Sequence, residues 1–284
     1  MEHADTKTFP ESLKAHRLEL AVTLLLMIGI YYSIVPLMVK QWYNDPNYSH
    51  GFLVPLIAGY FLYQRLDELK NAPVRPHNGG LLIILFGLLM VVLGFVGTEY
   101  FTMRASLVVM LIGLVLYLFG KDVLKITALP LGYLFFMVPL PYIIYDAVAF
   151  PLKLFVAKYS VLFLKVSGVI VWREGNVIMF PQTVLEVADA CSGIRSIMSL
   201  LALSVALAFF TRYAAWKRWV IVLSAIPIAI VTNALRVIVT GFLAQYWGAQ
   251  AAEGFFHEFA GLAVFGLAMA MLIGLSALLG RRTK

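Results

Sequence analysis

The chain has 284 residues, of which 62% are hydrophobic and only 13% are charged, and its mean hydropathy is +0.88. Soluble domains are about half apolar and about a quarter charged, so this composition excludes an ordinary soluble domain and predicts a polytopic membrane protein. The net charge of +7 would suit a nucleic-acid partner. However, the basic residues fall in short loops and tails, which is the pattern of membrane topology, and we expect no nucleic-acid partner.

Eight segments are apolar enough to predict membrane helices, since about 20 apolar residues cross the hydrocarbon core. Their approximate bounds are 18–39, 50–64, 79–97, 101–119, 124–141, 192–211, 218–238 and 258–280. The first follows a charged lead, residues 1–17, and is too long for the core of a signal peptide, so we expect it to be retained. The predicted fold is an all-α polytopic membrane protein with a single integral membrane domain, 1–284.

The distribution of basic residues predicts the orientation. With a cytoplasmic N-terminus, 14 of the 22 basic residues lie on the inside, in short loops and in the tail 281–284. These are Lys7, Lys14, Arg17, Arg65, Lys70, Arg75, Lys121, Lys125, Arg212, Lys217, Arg218, Arg281, Arg282 and Lys284. The short outer loops hold little more than Lys40, Arg104 and Arg236. This bias predicts a multi-pass protein of the plasma membrane with both termini in the cytoplasm.

Residues 142–195 depart from the pattern of simple spans. The apolar stretch 147–171 carries three lysines, and a single crossing there would move every later basic loop to the outside. We therefore expect an interfacial or re-entrant helix on the outer side, with its lysines reaching toward water.

A small β-hairpin is predicted next. Residues 176–180 and 183–187 are rich in β-branched and aromatic side chains and flank Pro181-Gln182. The hairpin would deliver the chain to Cys191.

Cys191 is the only cysteine, which excludes an internal disulfide bond. It lies in Ala190-Cys191-Ser192-Gly193-Ile194-Arg195, at the predicted start of a membrane helix. The unpaired N–H groups and positive dipole of a helix start favour the thiolate. A small buried thiol is the plain structural interpretation of a lone cysteine. The polar neighbours, the adjacent arginine and the helix start favour a reactive thiol instead.

Two further ionisable residues are predicted at the same outer membrane depth as Cys191. Arg236 lies at the outer end of the span 218–238, and His257 lies where the last span begins. Ionisable groups at the edge of spans are costly and tend to mark function. A thiolate attacks acyl carbon, a histidine moves protons and an arginine holds a developing oxyanion. A helix-end anchor for the arginine and a structural histidine are the plainer alternatives.

These residues stand in motifs that resemble those of the exosortase/archaeosortase family. The motifs are Cys191-Ser192-Gly193-Ile194-Arg195, Asn233-Ala234-Leu235-Arg236 and His257-Glu258-Phe259-Ala260-Gly261, with an N-terminal Tyr48-Ser49-His50-Gly51. The resemblance extends from about Trp42 to Gly261. It implies a membrane cysteine transpeptidase, with Cys191 as nucleophile, Arg236 as oxyanion-stabilising residue and His257 as general acid and base.

The resemblance also implies the partners. The substrates would be exported proteins with a C-terminal tail of a short motif, a transmembrane helix and a basic cluster, processed at the extracytoplasmic face. The acceptor of the acyl group would be water, an amine or a glycan-linked amine, and membrane lipids surround the site. We expect no metal and no other cofactor.

Several residues are weaker candidates for supporting roles. His50 would carry protons, contact substrate or only begin a helix. Arg195 would lower the pKa of the thiol from the same helix face. Asn233 would bond to Arg236 or to substrate, and Glu258 or Glu253 would orient His257. Glu186 and Asp189 would meet the incoming chain.

Two other classes of protein stay open at this stage. A transporter or channel would favour ionisable residues at the membrane midplane and repeat symmetry between halves, and the sequence shows neither. A scaffold for envelope or polysaccharide assembly would need no reactive thiol. A zinc protease is not indicated, because the chain has no His-Glu-x-x-His.

Overall fold

A computed structural model describes residues 8–181, 184–187, 194–211, 213–248 and 255–281, with the backbone alone at 186 and 255–259. The chain forms two compact units, Met1–Pro141 and Tyr142–Lys284. That the whole chain is a single membrane domain stays a prediction. Each unit is described by itself.

The described part of the first unit is helical throughout. Its α-helices are α1 (Phe9–Ala15), α2 (Arg17–Tyr31), α3 (Ile34–Asn44), α4 (Leu53–Gln64), α5 (Leu66–Lys70), α6 (Gly79–Val96), α7 (Tyr100–Phe119) and α8 (Lys121–Tyr133). Two 3-10 helices, Pro46–Phe52 and Leu134–Met137, precede α4 and follow α8.

The antiparallel pair α6 and α7 is the longest helical hairpin of this unit. The buried glycines of α6 stand seven residues apart, at 80, 87 and 94, and they face the backbone and side chains of α7. Without side chains there, the two helices approach closely, which is how membrane helices gain contact area. At its turn Glu99 caps α7, because its carboxylate accepts the N–H groups of Phe101 and Thr102 at 3.1 and 2.6 Å.

The first predicted span is bent. Helices α2 and α3 meet at an angle of 57°. The bend packs on α7, where Tyr31 Oη donates to Ser106 Oγ at 2.8 Å and Ser106 Oγ donates to the carbonyl of Met103 at 2.6 Å. This pair of bonds satisfies two buried hydroxyls beside the bend, and Pro36 breaks the helical bonding there because its ring excludes a hydrogen bond to the Tyr32 carbonyl.

Helices α4 and α8 run side by side in opposite directions. The rings of Phe61 and Tyr133 meet edge to face with centroids 5.0 Å apart, and Arg65 Nη1 donates to the carbonyl of Ile126 at 3.1 Å. Each helix has only 12 or 13 residues, but its adjoining 3-10 helix extends it at the end that the two share.

The second unit contains long apolar helices and one small sheet. The helices are α9 (Tyr142–Val166), α10 (Ile194–Phe210), α11 (Ala215–Trp247) and α12 (Phe255–Arg281). The strands β1 (Trp172–Glu174), β2 (Val177–Met179) and β3 (Val184–Glu186) form an antiparallel sheet in the order β1-β2-β3. In register, Ile178 lies opposite Arg173 on one side and Leu185 on the other.

The predicted hairpin is therefore confirmed as strands β2 and β3, and β1 adds a third strand that the sequence did not indicate. Residues 182 and 183 of its turn lie outside the described residues. The strand β1 is short, exposed and partly charged, so it lacks the alternation that predicts a strand.

Five of the described helices are long and apolar enough to cross a membrane, or six if the bent pair of α2 and α3 counts as one span. They include α9, which was predicted to be interfacial or re-entrant, and α10 is shorter, with 17 residues. The chain is thus a mostly helical, multi-pass membrane protein. The count of eight spans is not confirmed by these lengths.

Candidate functional site

Helix α11 sets the depth of the candidate site. It has 33 residues, which at 1.5 Å per residue is about 50 Å. Arg236 follows Lys217 by 19 residues, or about 29 Å along the axis, close to the ~30 Å of a bilayer core. Lys217 is buried and its Nζ donates to the carbonyl of Leu279 at 2.6 Å, near the end of α12. Lys217 and Arg236 therefore mark opposite ends of a membrane-sized interval of α11.

Helices α10 and α12 both run antiparallel to α11. The Ser204 Oγ lies 3.5 Å from the carbonyl of Val222, and Leu200 and Leu272 share one core cluster with Ala225. Counting back ten residues from Ser204 brings Ile194, the first residue of α10, to the level of about residue 232 on α11. The start of α10 and Arg236 therefore lie at the same end of the three helices.

At this end, the Arg236 guanidinium lies against Gly261 of α12. A Cβ atom placed on Gly261 would stand 3.4 to 3.6 Å from the Nη2, Cζ and Nη1 atoms of Arg236. The glycine therefore lets the planar guanidinium pack directly on the α12 backbone. A side chain larger than alanine would displace it.

Beside this contact, a cavity of about 280 Å³ opens between α11 and α12. Among the lining residues that the structure describes, Arg236 is the one with a charge, and the others, such as Val239, Ala260 and Leu267, are apolar. An apolar pocket with one convergent polar group is the usual form of a binding site. In such surroundings guanidinium donors interact more strongly with an oxyanion than they do in water.

The small sheet and α9 pack on α11 beyond Arg236. Leu164 of α9 and Phe180 contact Gly241 closely, and the cluster continues through Val187 and Ala244. Val187, the residue after β3, is fully buried. Its N–H donates to the Asn176 carbonyl at 3.0 Å, and its own carbonyl accepts from Asn176 Nδ2 at 3.3 Å. The chain is therefore fixed immediately before the segment 188–193 that contains Cys191.

Two of the predicted site residues lie in fully described places near Arg236. Asn233, three residues earlier on α11, is only 2% exposed. Arg195 is the second residue of α10, half-buried, and its Nε is buried with no hydrogen-bond partner among the described residues. The structure thus brings Asn233, Arg195 and Arg236 to one end of the helices.

The remaining predicted residues are described in part or not at all. Cys191 and the candidates Asp189 and Glu253 lie outside the described residues. His257 and Glu258 lie in the first turn of α12, which belongs to the same end as Gly261, and their side chains are not among those described. Glu186 lies in β3, again with the backbone alone described. The roles of these residues stay predictions.

His50 lies in the first unit, in the 3-10 helix Pro46–Phe52. Its Nε2 donates to the carbonyl of Phe136 at 3.1 Å. Two neighbours make similar bonds, since Trp42 Nε1 donates to the Met137 carbonyl at 2.9 Å and Tyr48 Oη donates to the Leu140 carbonyl at 3.2 Å. We call these three side chains and their carbonyls the 42–50 clasp.

Gly51 completes the clasp by a close approach. A Cβ atom on Gly51 would lie 2.5 to 2.7 Å from the indole of Trp42, which no side chain tolerates without a shift. Tyr48, His50 and Gly51 of the N-terminal motif thus have a structural explanation. Sequence reasoning did not find the partner segment, because nothing in residues 136–140 signals that their carbonyls accept side-chain bonds.

The long apolar helices and the cavity at Arg236 define a multi-pass membrane protein with a candidate site at one end of these helices. A family model described as transmembrane exosortase matches residues 42–274. This chain belongs to the transmembrane exosortase family, and the resemblance that the motifs indicated is confirmed. No match to the chain was found among curated proteins or among solved structures.

Proposed function

We propose that this protein is a cysteine transpeptidase or endopeptidase that cleaves the C-terminal sorting tail of exported proteins through a thioester acyl-enzyme. The observation that carries the proposal is the place of Arg236. Its guanidinium lines an apolar cavity and packs on Gly261 of the motif that contains His257. Helix α10, which follows Cys191 in the sequence, begins at the same end of the helices.

The proposed reaction uses three side chains. The Cys191 thiolate attacks the carbonyl carbon of the scissile peptide bond, and the carbonyl electron pair moves to oxygen. Donors of Arg236 stabilise that oxyanion. As it collapses, the C–N bond breaks and the His257 imidazolium gives its proton to the leaving amine. Water or an amine then attacks the thioester, His257 takes the attacking group's proton, and the thiolate leaves.

We place the site at the extracytoplasmic face of the plasma membrane, with both termini in the cytoplasm and eight spans. Helices α4 and α8 are each too short to cross a membrane by themselves. Their adjoining 3-10 helices lengthen them, which supports counting each as one of the eight spans. An interfacial position for the C-terminal half of α9 is supported by its core cluster, because that half packs on the sheet and on α11 residues beyond Arg236.

The test is a processing assay in cells that make a tail-bearing exported protein of the host. Cys191→Ala, Arg236→Ala and His257→Ala should each leave the tail uncleaved while the enzyme accumulates normally in the membrane. Three equally deep losses would indicate one catalytic unit. Cleavage at the wild-type rate by Cys191→Ala would refute the nucleophile and favour a transporter or a scaffold.

The single cysteine gives a second test, of orientation. A membrane-impermeant alkylating reagent added to intact spheroplasts should label the wild type at neutral pH. We expect this because a helix start and nearby cations lower the pKa of a thiol below its usual value of ~8.5. Cys191→Ser is the blank, since no other cysteine exists. Labelling that requires permeabilised membranes would place the thiol in the cytoplasm and contradict the proposed topology.

A further inference from the structure

A cavity of about 510 Å³ lies in the first unit, between the bend of α2 and α3 and the turn of the α6–α7 hairpin. Apolar side chains such as Leu37 and Val92 form most of its wall. Ser33, Thr98 and Arg104 add polar groups. Its volume is within the ~300–1,000 Å³ that ligand pockets usually have. The cavity is therefore large enough for a ligand and has both apolar and polar walls.

Arg104 is the cation of this cavity. It is only 7% exposed, its Nη1 donates to Gln41 Oε1 at 2.5 Å, and its Cζ lies 5.5 Å from the ring centroid of Tyr100. A buried cation near a membrane is costly and tends to face a ligand, a counter-ion or water. The amide of Gln41 holds the guanidinium in place but does not balance its charge.

Glu99 is the acidic group that acts on Arg104. Burial disfavours its charged form, but the hydrogen bonds from Thr102 and Phe101 and the charge of Arg104 outweigh it and lower the pKa of the carboxyl. Its oxygens accept the first N–H groups of α7, so they are engaged as a helix cap. Glu99 is therefore ionised at neutral pH and balances part of the charge of Arg104 from outside the cavity lining.

The cavity opens on the surface of the first unit. Phe95 and Tyr32 in its lining are 76% and 73% exposed on the surface of the unit. A second cavity of about 550 Å³ lies on α2 and α7, and the described residues that line it, such as Leu24 and Leu111, include none with a charge. The two cavities have similar size and largely apolar walls, and the first differs in having a guanidinium.

We propose that the Arg104 cavity binds one membrane phospholipid, with its acyl chain against Leu37 and Val92 and its phosphate at Arg104. Guanidinium pairs with phosphate through parallel hydrogen bonds, and a chain that lies in a bilayer meets this ligand at high concentration. The lining of the cavity includes none of the proposed catalytic residues, and the proposal does not depend on the proposed function.

The test measures binding to the full chain, purified in detergent and stripped of lipid, by native mass spectrometry. The probes are phosphatidylglycerol and a diacylglycerol with the same acyl chains. The wild type should retain one phosphatidylglycerol and bind it about fivefold more tightly than diacylglycerol, the size expected for one basic residue. In Arg104→Gln the two probes should bind equally.

Val92→Trp and Leu24→Trp are the matched pair, since each places an indole in one of the two cavities. Val92→Trp should reduce binding of both probes, and Leu24→Trp should leave the preference for phosphatidylglycerol unchanged. If Arg104→Gln does not accumulate, Val92→Trp and Leu24→Trp still show whether the lipid binds in the Arg104 cavity. Equal binding of both probes by the wild type, or equal effects of the two tryptophans, would overturn the proposal.

Discussion

The 42–50 clasp and the surroundings of Arg236 both contain motif residues, but the polar side chains of the two regions have different surroundings. In the clasp, the Trp42, Tyr48 and His50 side chains each donate to a backbone carbonyl of residues 136–140. At the other motif, the Arg236 guanidinium faces an apolar cavity and packs on a glycine. Donors that end on backbone carbonyls hold a fold together, whereas a charge that lines an apolar cavity lies where a ligand would meet it.

The largest expected effect is the loss of tail cleavage when Arg236, beside the cavity, is replaced. Arg236→Lys keeps the charge but loses the planar set of donors, so tail cleavage should fall by about 100- to 1,000-fold, as for the loss of an oxyanion donor. Thermal stability in detergent should be measured on the same sample, so that a loss of cleavage through unfolding is distinguished from the loss of the donors.

Arg218→Lys is the control for this variant, because Arg218 is an exposed arginine near the opposite end of α11. Its cleavage rate should equal that of the wild type. Near-normal cleavage by Arg236→Lys would reduce Arg236 to an anchoring charge and remove the difference between the two regions.

The next effect belongs to the clasp. Gly51→Ala would push a methyl group into the Trp42 ring, whose indole is 6% exposed and bonded to Met137. Overpacking of this kind costs about 1–3 kcal/mol, so the variant should accumulate poorly and unfold at lower temperature.

Gly59→Ala in the adjoining helix α4 is the matched control, because nothing lies within 4 Å of a Cβ at that position. It should be neutral or slightly stabilising, since alanine favours a helix over glycine by up to about 1 kcal/mol. If both variants were equally stable, the clasp would not be the rigid structure that its distances indicate.

The smallest effect separates the two interpretations of His50. His50→Phe removes the donor to Phe136 and should cost about 1 kcal/mol, measured as a lower unfolding temperature. His50→Gln keeps an N–H donor and should recover most of that loss, with cleavage close to normal. A proton carrier would instead be lost in both variants. Deep loss of cleavage in His50→Gln at normal stability would therefore move His50 into the chemistry.

Local patterns predicted the hairpin and most helix positions, and they failed where distant contacts decide the structure. The β2–β3 pair follows β-branched residues around a proline, a signal within one segment. The 57° bend at residues 32 and 33 lies four residues before Pro36, whose ring excludes the helical hydrogen bond to the Tyr32 carbonyl, so the bend too has a local signal. The bond between the Tyr31 hydroxyl and Ser106, 75 residues away, has no such signal.

The candidate site was likewise predictable from the sequence only in part. The sequence placed Arg236 and the starts of two other spans at one end of the helices, and the register of α10, α11 and α12 brings them to one end, whereas the membrane depth of Arg236 stays a prediction. The contact of Arg236 with Gly261 and the cavity beside it depend on how two helices pack, which spacing within one helix cannot specify. The burial of Arg104 was likewise hidden, because the sequence indicates only a basic residue near an outer loop.

The interval between Lys217 and Arg236 couples this protein to the thickness of its host membrane. In a bilayer thinner than the interval, α11 accommodates the mismatch by tilting, and in a thicker one the surrounding lipid compresses. Either adjustment shifts the plane of Arg236 relative to the point where a substrate chain leaves the lipid. If the proposed function holds, we expect the cleavage rate to depend on acyl-chain length, with its maximum where the hydrocarbon thickness equals the interval, and to change in a host with different lipids without any change in sequence.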